Sequence, residues 1–281
     1  MMSILLARRT RRKRRAQARN TLYVGVGVIL IVAVIGISLF AFLNVPTKIA
    51  RDPSTYCPIR AAPAAITTIV IDRTDSFSTI SKADIEIQLR DVLDAAIENE
   101  EISLYVVEPI ENSPLTSLIT VCNPGNPTYA DPWTQNPKLV QRNWRTKFSE
   151  PLEKLLNEML IENKAPVSPI MESILSISVT NFYGDKRANV RKRLILVSDL
   201  LQNSQALSFY GNHLNFENFQ RSASYRGLNP DLREVSFELL YLQRQTKQKI
   251  DEDDLLNFWK KWVESRGGEV VRILRVSGMN R

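Results

Sequence analysis

The apolar and polar positions of this chain fall into three regimes. From Leu22 to Leu43 (LYVGVGVILIVAVIGISLFAFL) no charged residue interrupts the apolar run. At 1.5 Å per residue, that run is long enough to cross a hydrocarbon core about 30 Å thick. From 44 to 66 the periodicity lapses, and Pro46, Pro53, Pro58 and Pro63 predict an extended linker. From 67 to 281 short β-branched runs alternate with stretches of helical periodicity, the pattern of an α/β domain.

Within that third regime, Thr67 to Ile71 reads as a buried strand ending on Asp72. A helix opens at Ser81-Lys82-Ala83-Asp84, with Ile85, Leu89, Val92, Leu93, Ala96 and Ile97 along one face. ISLYVV (102–107) and SLITVC (117–122) predict two strands whose connection is too short for a helical crossover, so they should run antiparallel. Pro151 starts a helix carrying Leu152, Leu155, Leu156, Met159 and Leu160, and Pro169 starts another that runs to about Thr180. Arg193 to Val197 is a second strand that ends on Asp, here Asp199. Val235 to Leu242 and Val270 to Val276 are further strands, separated by a helix from Asp251 to Ser265 that Gly267-Gly268 closes. Strand and helix alternate in this half, which predicts a mostly parallel sheet.

Charge changes this picture only at the amino end. Residues 8 to 19 carry Arg8, Arg9, Arg11, Arg12, Lys13, Arg14, Arg15 and Arg19, with no acid among the first twenty, against a formal net charge of +7 for the whole chain. The remainder is therefore nearly neutral, and its composition does not point to nucleic acid. Residues 1–21 read as a basic cytoplasmic tail, 22–43 as a membrane helix in contact with lipid, 44–66 as the linker, and 67–281 as a domain outside the cytoplasm, by the positive-inside rule. The basic stretch Lys186 to Arg193 reads as a solvated turn. Trp133 and Trp144 read as aromatics packing a loop onto the domain. The chain has two cysteines, Cys57 and Cys122. In an oxidising compartment an even pair suggests a disulfide tying linker to domain, the alternative being two unrelated thiols.

The candidate chemistry is all oxygen. Asp72, Thr74 and Ser76 alternate after the first strand, Ser168 precedes a helix, and Asp199 ends a later strand. Alternating side chains on an extended backbone point one way, and hard cations favour such oxygen surrounds. Each of these residues alone is equally explained as a turn former or helix cap. Together, Asp72-x-Thr74-x-Ser76, Ser168 and Asp199 resemble the metal-ion-dependent adhesion site (MIDAS) of von Willebrand factor A (vWA) domains, over roughly residues 66 to 279. Thr74 stands where that family has Ser, Ser168 where it has Thr, and Leu200 follows Asp199 where Gly is usual. The resemblance implies a Rossmann-like, doubly wound, mostly parallel sheet with one antiparallel edge strand. It also implies Mg²⁺ or Mn²⁺ held by Thr74, Ser76 and Ser168, with Asp72 and Asp199 acting through water. An acidic side chain of a partner protein would complete the metal's shell.

Enzymatic chemistry is not expected. The sole histidine, His213, leaves triads and zinc hydrolysis without their usual groups, and no Gly-rich phosphate loop follows a strand. An aspartyl phosphatase would want a second Asp at position 74. The expectation is a membrane-anchored binding module. Its alternative is a metal-independent structural subunit of an envelope complex. In either case the long connection 200–234, rich in aromatics, is the expected partner surface.

Overall fold

The computed structural model describes residues 23, 25–43, 49–74, 77–109, 115, 117–126, 128, 136–160, 165–210, 214–243 and 250–277. It divides into two units, Met1–Ile49 and Ala50–Arg281. In the first, helix α1 (Gly25–Leu43) is nineteen residues long, and among the described residues none of it is buried. Its side chains are apolar and exposed, as a helix in lipid requires, because every backbone polar group is satisfied internally.

The second unit is built on β1 (Ala65–Asp72), α2 (Thr79–Asp94), β2 (Glu100–Val107), β3 (Ile119–Cys122), α3 (Pro137–Trp144), α4 (Glu150–Met159), α5 (Ile170–Thr180), β4 (Lys192–Ser198), α6 (Phe216–Gln220), α7 (Ala223–Gly227), β5 (Val235–Gln243), α8 (Glu252–Ser265) and β6 (Glu269–Ser277). The sheet order is β3-β2-β1-β4-β5-β6. All pairings are parallel except β2 with β3. This is the doubly wound, mostly parallel sheet with one antiparallel edge strand that the resemblance implies. Strand order reverses between β1 and β4, which places the crevice of an open α/β sheet at their carboxyl ends.

The period of two along the strands divides the core in two. Ile66, Val70, Leu194, Leu196, Phe237 and Leu239 face α5 and α8, where Trp259 and Trp262 are fully buried. Ile69, Ile71, Leu104, Ile195, Val197 and Leu240 face α2 and α4. A sheet buried on both faces needs near-continuous apolar strands, and β1 and β4 have them.

Several boundaries shift from the sequence reading. Ser78, not Ser81, caps α2, its hydroxyl accepting from the Ser81 amide at 3.0 Å. The helix expected at Pro151 begins at Pro137 and passes through a π-helical turn (Arg145–Ser149) before α4. Pro169 is the cap of α5 rather than its first residue. Residues 50–64, read as linker, belong to the compact unit. Asp52 accepts from the Ser54 and Thr55 amides at 2.9 and 2.8 Å, and the Cys122 amide donates to the Thr55 carbonyl at 2.8 Å. A Cys57–Cys122 disulfide fastens that turn to β3.

The basic stretch 186–193 is not simply solvated. Arg187 forms a two-pronged pair with the buried Glu101 at 2.8 and 2.9 Å, and Arg193 another with Glu238 at 2.6 and 3.0 Å. Trp144 does pack inward, 6.2 Å from Phe148. Trp133 lies outside the described residues.

Candidate metal centre

Asp72 is the last residue of β1 and 2% exposed. Its Oδ1 accepts from the Thr74 amide at 3.0 Å and the Thr74 hydroxyl at 2.7 Å. Its Oδ2 accepts from the Ser168 hydroxyl at 3.1 Å and the Ser198 hydroxyl at 2.8 Å. Three separate segments thus converge on one carboxylate at the strand-order reversal. Parallel register explains the third contact. Ile71 is level with Val197, so the next residues, Asp72 and Ser198, lie side by side and point to the same face.

The loops are tied to one another as well as to Asp72. Ser168 and Asn203 exchange backbone hydrogen bonds at 2.8 and 2.9 Å, and the Ala165 amide donates to the Thr74 carbonyl at 2.9 Å. Gln202 is fully buried. Its Oε1 accepts from the Met171 amide at 2.9 Å, and its Nε2 donates to Glu172 and Ser204 at 2.9 and 3.0 Å. It therefore satisfies an orphan donor in the first turn of α5, the task that Ser168 would have had as a helix cap. The Ser168 hydroxyl is left for Asp72.

Asp199 lies just beyond β4, is 4% exposed, and its Oδ1 accepts from the Leu201 amide at 3.0 Å. Leu200 adopts φ 64°, the left-handed region where the family's usual Gly is at ease. Its side chain is fully buried, and its carbonyl accepts from Trp259 Nε1 at 2.9 Å. Packing and that indole bond hold a β-carbon where backbone preference alone would not put one.

Of the residues expected to hold metal, Thr74 and Ser168 both hydrogen-bond Asp72, and Asp199 is at the same sheet end. Ser76 lies outside the described residues, as does His213. Ser198 and Gln202 were missed. Only the inter-strand register puts Ser198 on Asp72, although its place as the last strand residue before Asp199 was a usable signal.

The donor set fits a hard divalent ion. Each hydroxyl gives its one hydrogen to Asp72, and those of Thr74 and Ser168 keep oxygen lone pairs for a cation, whereas the Ser198 oxygen also accepts from the Leu200 amide at 2.8 Å. Among the described residues no Lys, Arg or His forms an ion pair with Asp72. A buried carboxylate without a protein cation is where a metal would supply the missing charge. Arg73, the next residue, reaches Glu108 instead, at 3.5 Å. The cysteines, bonded to each other, leave no thiolate for a second centre.

The connection 200–234 is less free than expected. Phe216, Phe219 and Tyr225 pack edge to face with one another, and Phe209 and Phe216 do so with Phe258, at centroid distances of 4.9 to 6.4 Å. Arg266 stacks 3.7 Å above Tyr225. These aromatics bind the loop to α8, and Tyr210, 47% exposed, is the large apolar residue that it turns outward among the described residues.

No family model matches the chain, and no curated protein matches it. Among solved structures, it is similar to an aerotolerance-related membrane protein from Bacteroides fragilis NCTC 9343, with 10% identity over 75% of this chain and 91% of that one and a TM-score of 0.39. It is similar to BatB, a conserved hypothetical protein from Bacteroides thetaiotaomicron, with 10% identity over 77% and 92% and a TM-score of 0.39. Proximal thread matrix protein 1 from the mussel byssus gives 11% identity over 77% of this chain, 43% of its own length, and a TM-score of 0.39. Likenesses this distant carry no argument about the site.

Proposed function

We propose that this chain is a membrane-anchored vWA-like binding module that takes a divalent cation, Mg²⁺ or Mn²⁺, at the carboxyl ends of β1 and β4 and engages a partner protein there. The supporting observation is the buried Asp72, reached by Thr74, Ser168 and Ser198 and in no ion pair among the described residues. Thr74 and Ser168 would offer hydroxyl oxygens, Asp72 and Asp199 negative charge, and Ser198 would orient the Asp72 carboxylate. The ion would supply an electrophile for an acidic side chain of the partner. This reading assigns no catalytic step. The basic residues ahead of α1 favour a cytoplasmic amino end, and the disulfide favours an oxidising compartment for the domain.

A second reading has its own support. Asp72 already accepts four hydrogen bonds from its own chain, and Leu200 occupies the site's edge as a core residue. A metal-independent structural subunit of an envelope complex would need nothing more. Thermal melts of the full chain in detergent, with chelator and then with millimolar Mg²⁺ or Mn²⁺, separate the two. An ion at about one hundred times its dissociation constant adds about 2.7 kcal/mol, or several degrees of midpoint. The metal reading expects that shift in the wild type and its loss in Asp72→Ala. An unshifted wild type favours the structural subunit.

A further inference from the structure

We propose that the cavity at the amino ends of β4 and β5 binds a small zwitterion of the amino-acid type, its carboxylate on Lys192 and its ammonium toward Asp185 and Glu234. The cavity holds about 370 Å³ and lies beside the carboxyl end of α5, with Phe182 and Tyr183 on its wall. That volume is within the usual range for small-ligand sites, about 300–1,000 Å³. It sits at the far end of β4 from Ser198 and Asp72, so this inference stands or falls apart from the metal reading.

Lys192 is the unexpected group. It opens β4 level with Ile66 and Val235, on the face that Leu194 and Leu196 share, and is 5% exposed. An ammonium offers three donors. Among the described residues, Lys192 Nζ makes one hydrogen bond, a long one of 3.5 Å to the Ala188 carbonyl, and no ion pair. A buried charge so thinly satisfied is costly, and a ligand carboxylate would relieve it.

The remaining charges set the other half of the ligand. Asp231 and Arg233 hold each other in a two-pronged pair at 2.9 and 2.6 Å, which keeps the Asp231 carboxyl below its ordinary range. Lys192 also acts on Asp231 through space, and Glu234 on Arg233, yet among the described residues Lys192, Asp185 and Glu234 are the charged groups of the wall without an ion pair. A simple anion would meet the two acids, and a simple cation would meet Lys192. A zwitterion answers both. Glu234 also holds φ 62°, a backbone state disfavoured for a residue with a β-carbon and concentrated at binding sites.

Isothermal titration of the detergent-solubilised full chain with L-alanine, L-lysine, acetate and n-propylamine tests the proposal. At least one amino acid should bind saturably with Kd of about 1 mM or tighter, and acetate and propylamine about tenfold more weakly. K192M should abolish amino-acid binding, and E234Q should weaken the amino acid but not acetate. Absence of saturable amino-acid binding overturns the proposal, as does equal affinity for acetate or full binding by K192M. Should K192M fail to fold, D185N and E234Q, both at exposed positions, decide the matter. Unchanged amino-acid affinity in both overturns it.

Discussion

Leu200 offers a test in which local backbone chemistry and core packing pull in opposite directions. The residue is fully buried and left-handed at φ 64°. Leu200→Ala removes most of a buried side chain and keeps the β-carbon, and therefore the strain. It should cost about 2–5 kcal/mol from lost transfer energy and the cavity left behind. Leu200→Gly loses the same packing but frees the backbone of a left-handed penalty of about 1–2 kcal/mol. Against that stands the greater entropy of Gly in the unfolded chain, about 0.4–1 kcal/mol. The balance favours Gly over Ala by about 0.5–1 kcal/mol, the reverse of their order at an ordinary helical or strand position. Urea titration of the full chain in detergent reads the difference through tryptophan fluorescence. Trp259, which donates to the Leu200 carbonyl, reports on this corner directly. An alanine variant as stable as the glycine variant, or more so, refutes the assignment of strain to position 200.

Two further outcomes are expected. The Cys57–Cys122 bridge closes a loop with a sequence separation of 65, for which chain entropy gives about 4 kcal/mol. Reduction, or Cys57→Ser with Cys122→Ser, should lower the melting midpoint by about 10 °C, and an unchanged midpoint would show that the bridge does not restrain the unfolded chain. Hydrogen bonds from the Ser54 hydroxyl and the Thr55 and Ser54 amides hold the Asp52 carboxyl down to about 2, from an ordinary 3.8. A depressed acid stabilises above its unfolded value, so this contribution is complete above pH 3.8 and is lost as pH falls toward 2. Carboxyl NMR should place the Asp52 titration in that window, and Asp52→Asn should remove that part of the acid dependence.

Much of this architecture was legible in the chain because strands buried on both faces are hard to hide. β1 and β4 announce themselves as β-branched runs that stop on Asp72 and on Ser198-Asp199. The short connection between β2 and β3 fixed their antiparallel sense. Other features depended on distance relations that composition does not encode. Ser198 belongs to the site only because β4 lies level with β1. Helix α3 presents a mostly polar surface, with Leu139 45% exposed, so no apolar stripe marked it. Helices α6 and α7 are five residues each, shorter than two turns of any periodicity. Lys192 looked like one more charge in a basic run, because nothing local says that its strand begins inside the core.

The position of the disulfide bears on how the domain responds to pulling. Tension applied along the chain from its amino side first meets the Arg51–Glu98 pair and the turn at Asp52, and then Cys57, which is covalently fixed to Cys122 at the sheet's antiparallel edge. The segment between Cys57 and Ala65 cannot lengthen beyond what that bond permits. A load entering there passes into β3, and β1, with Asp72 at its far end, is screened from being peeled out of the sheet. The strand carrying the candidate site thus lies off the mechanical path, and a pull from the amino side loads β3 before it reaches Asp72.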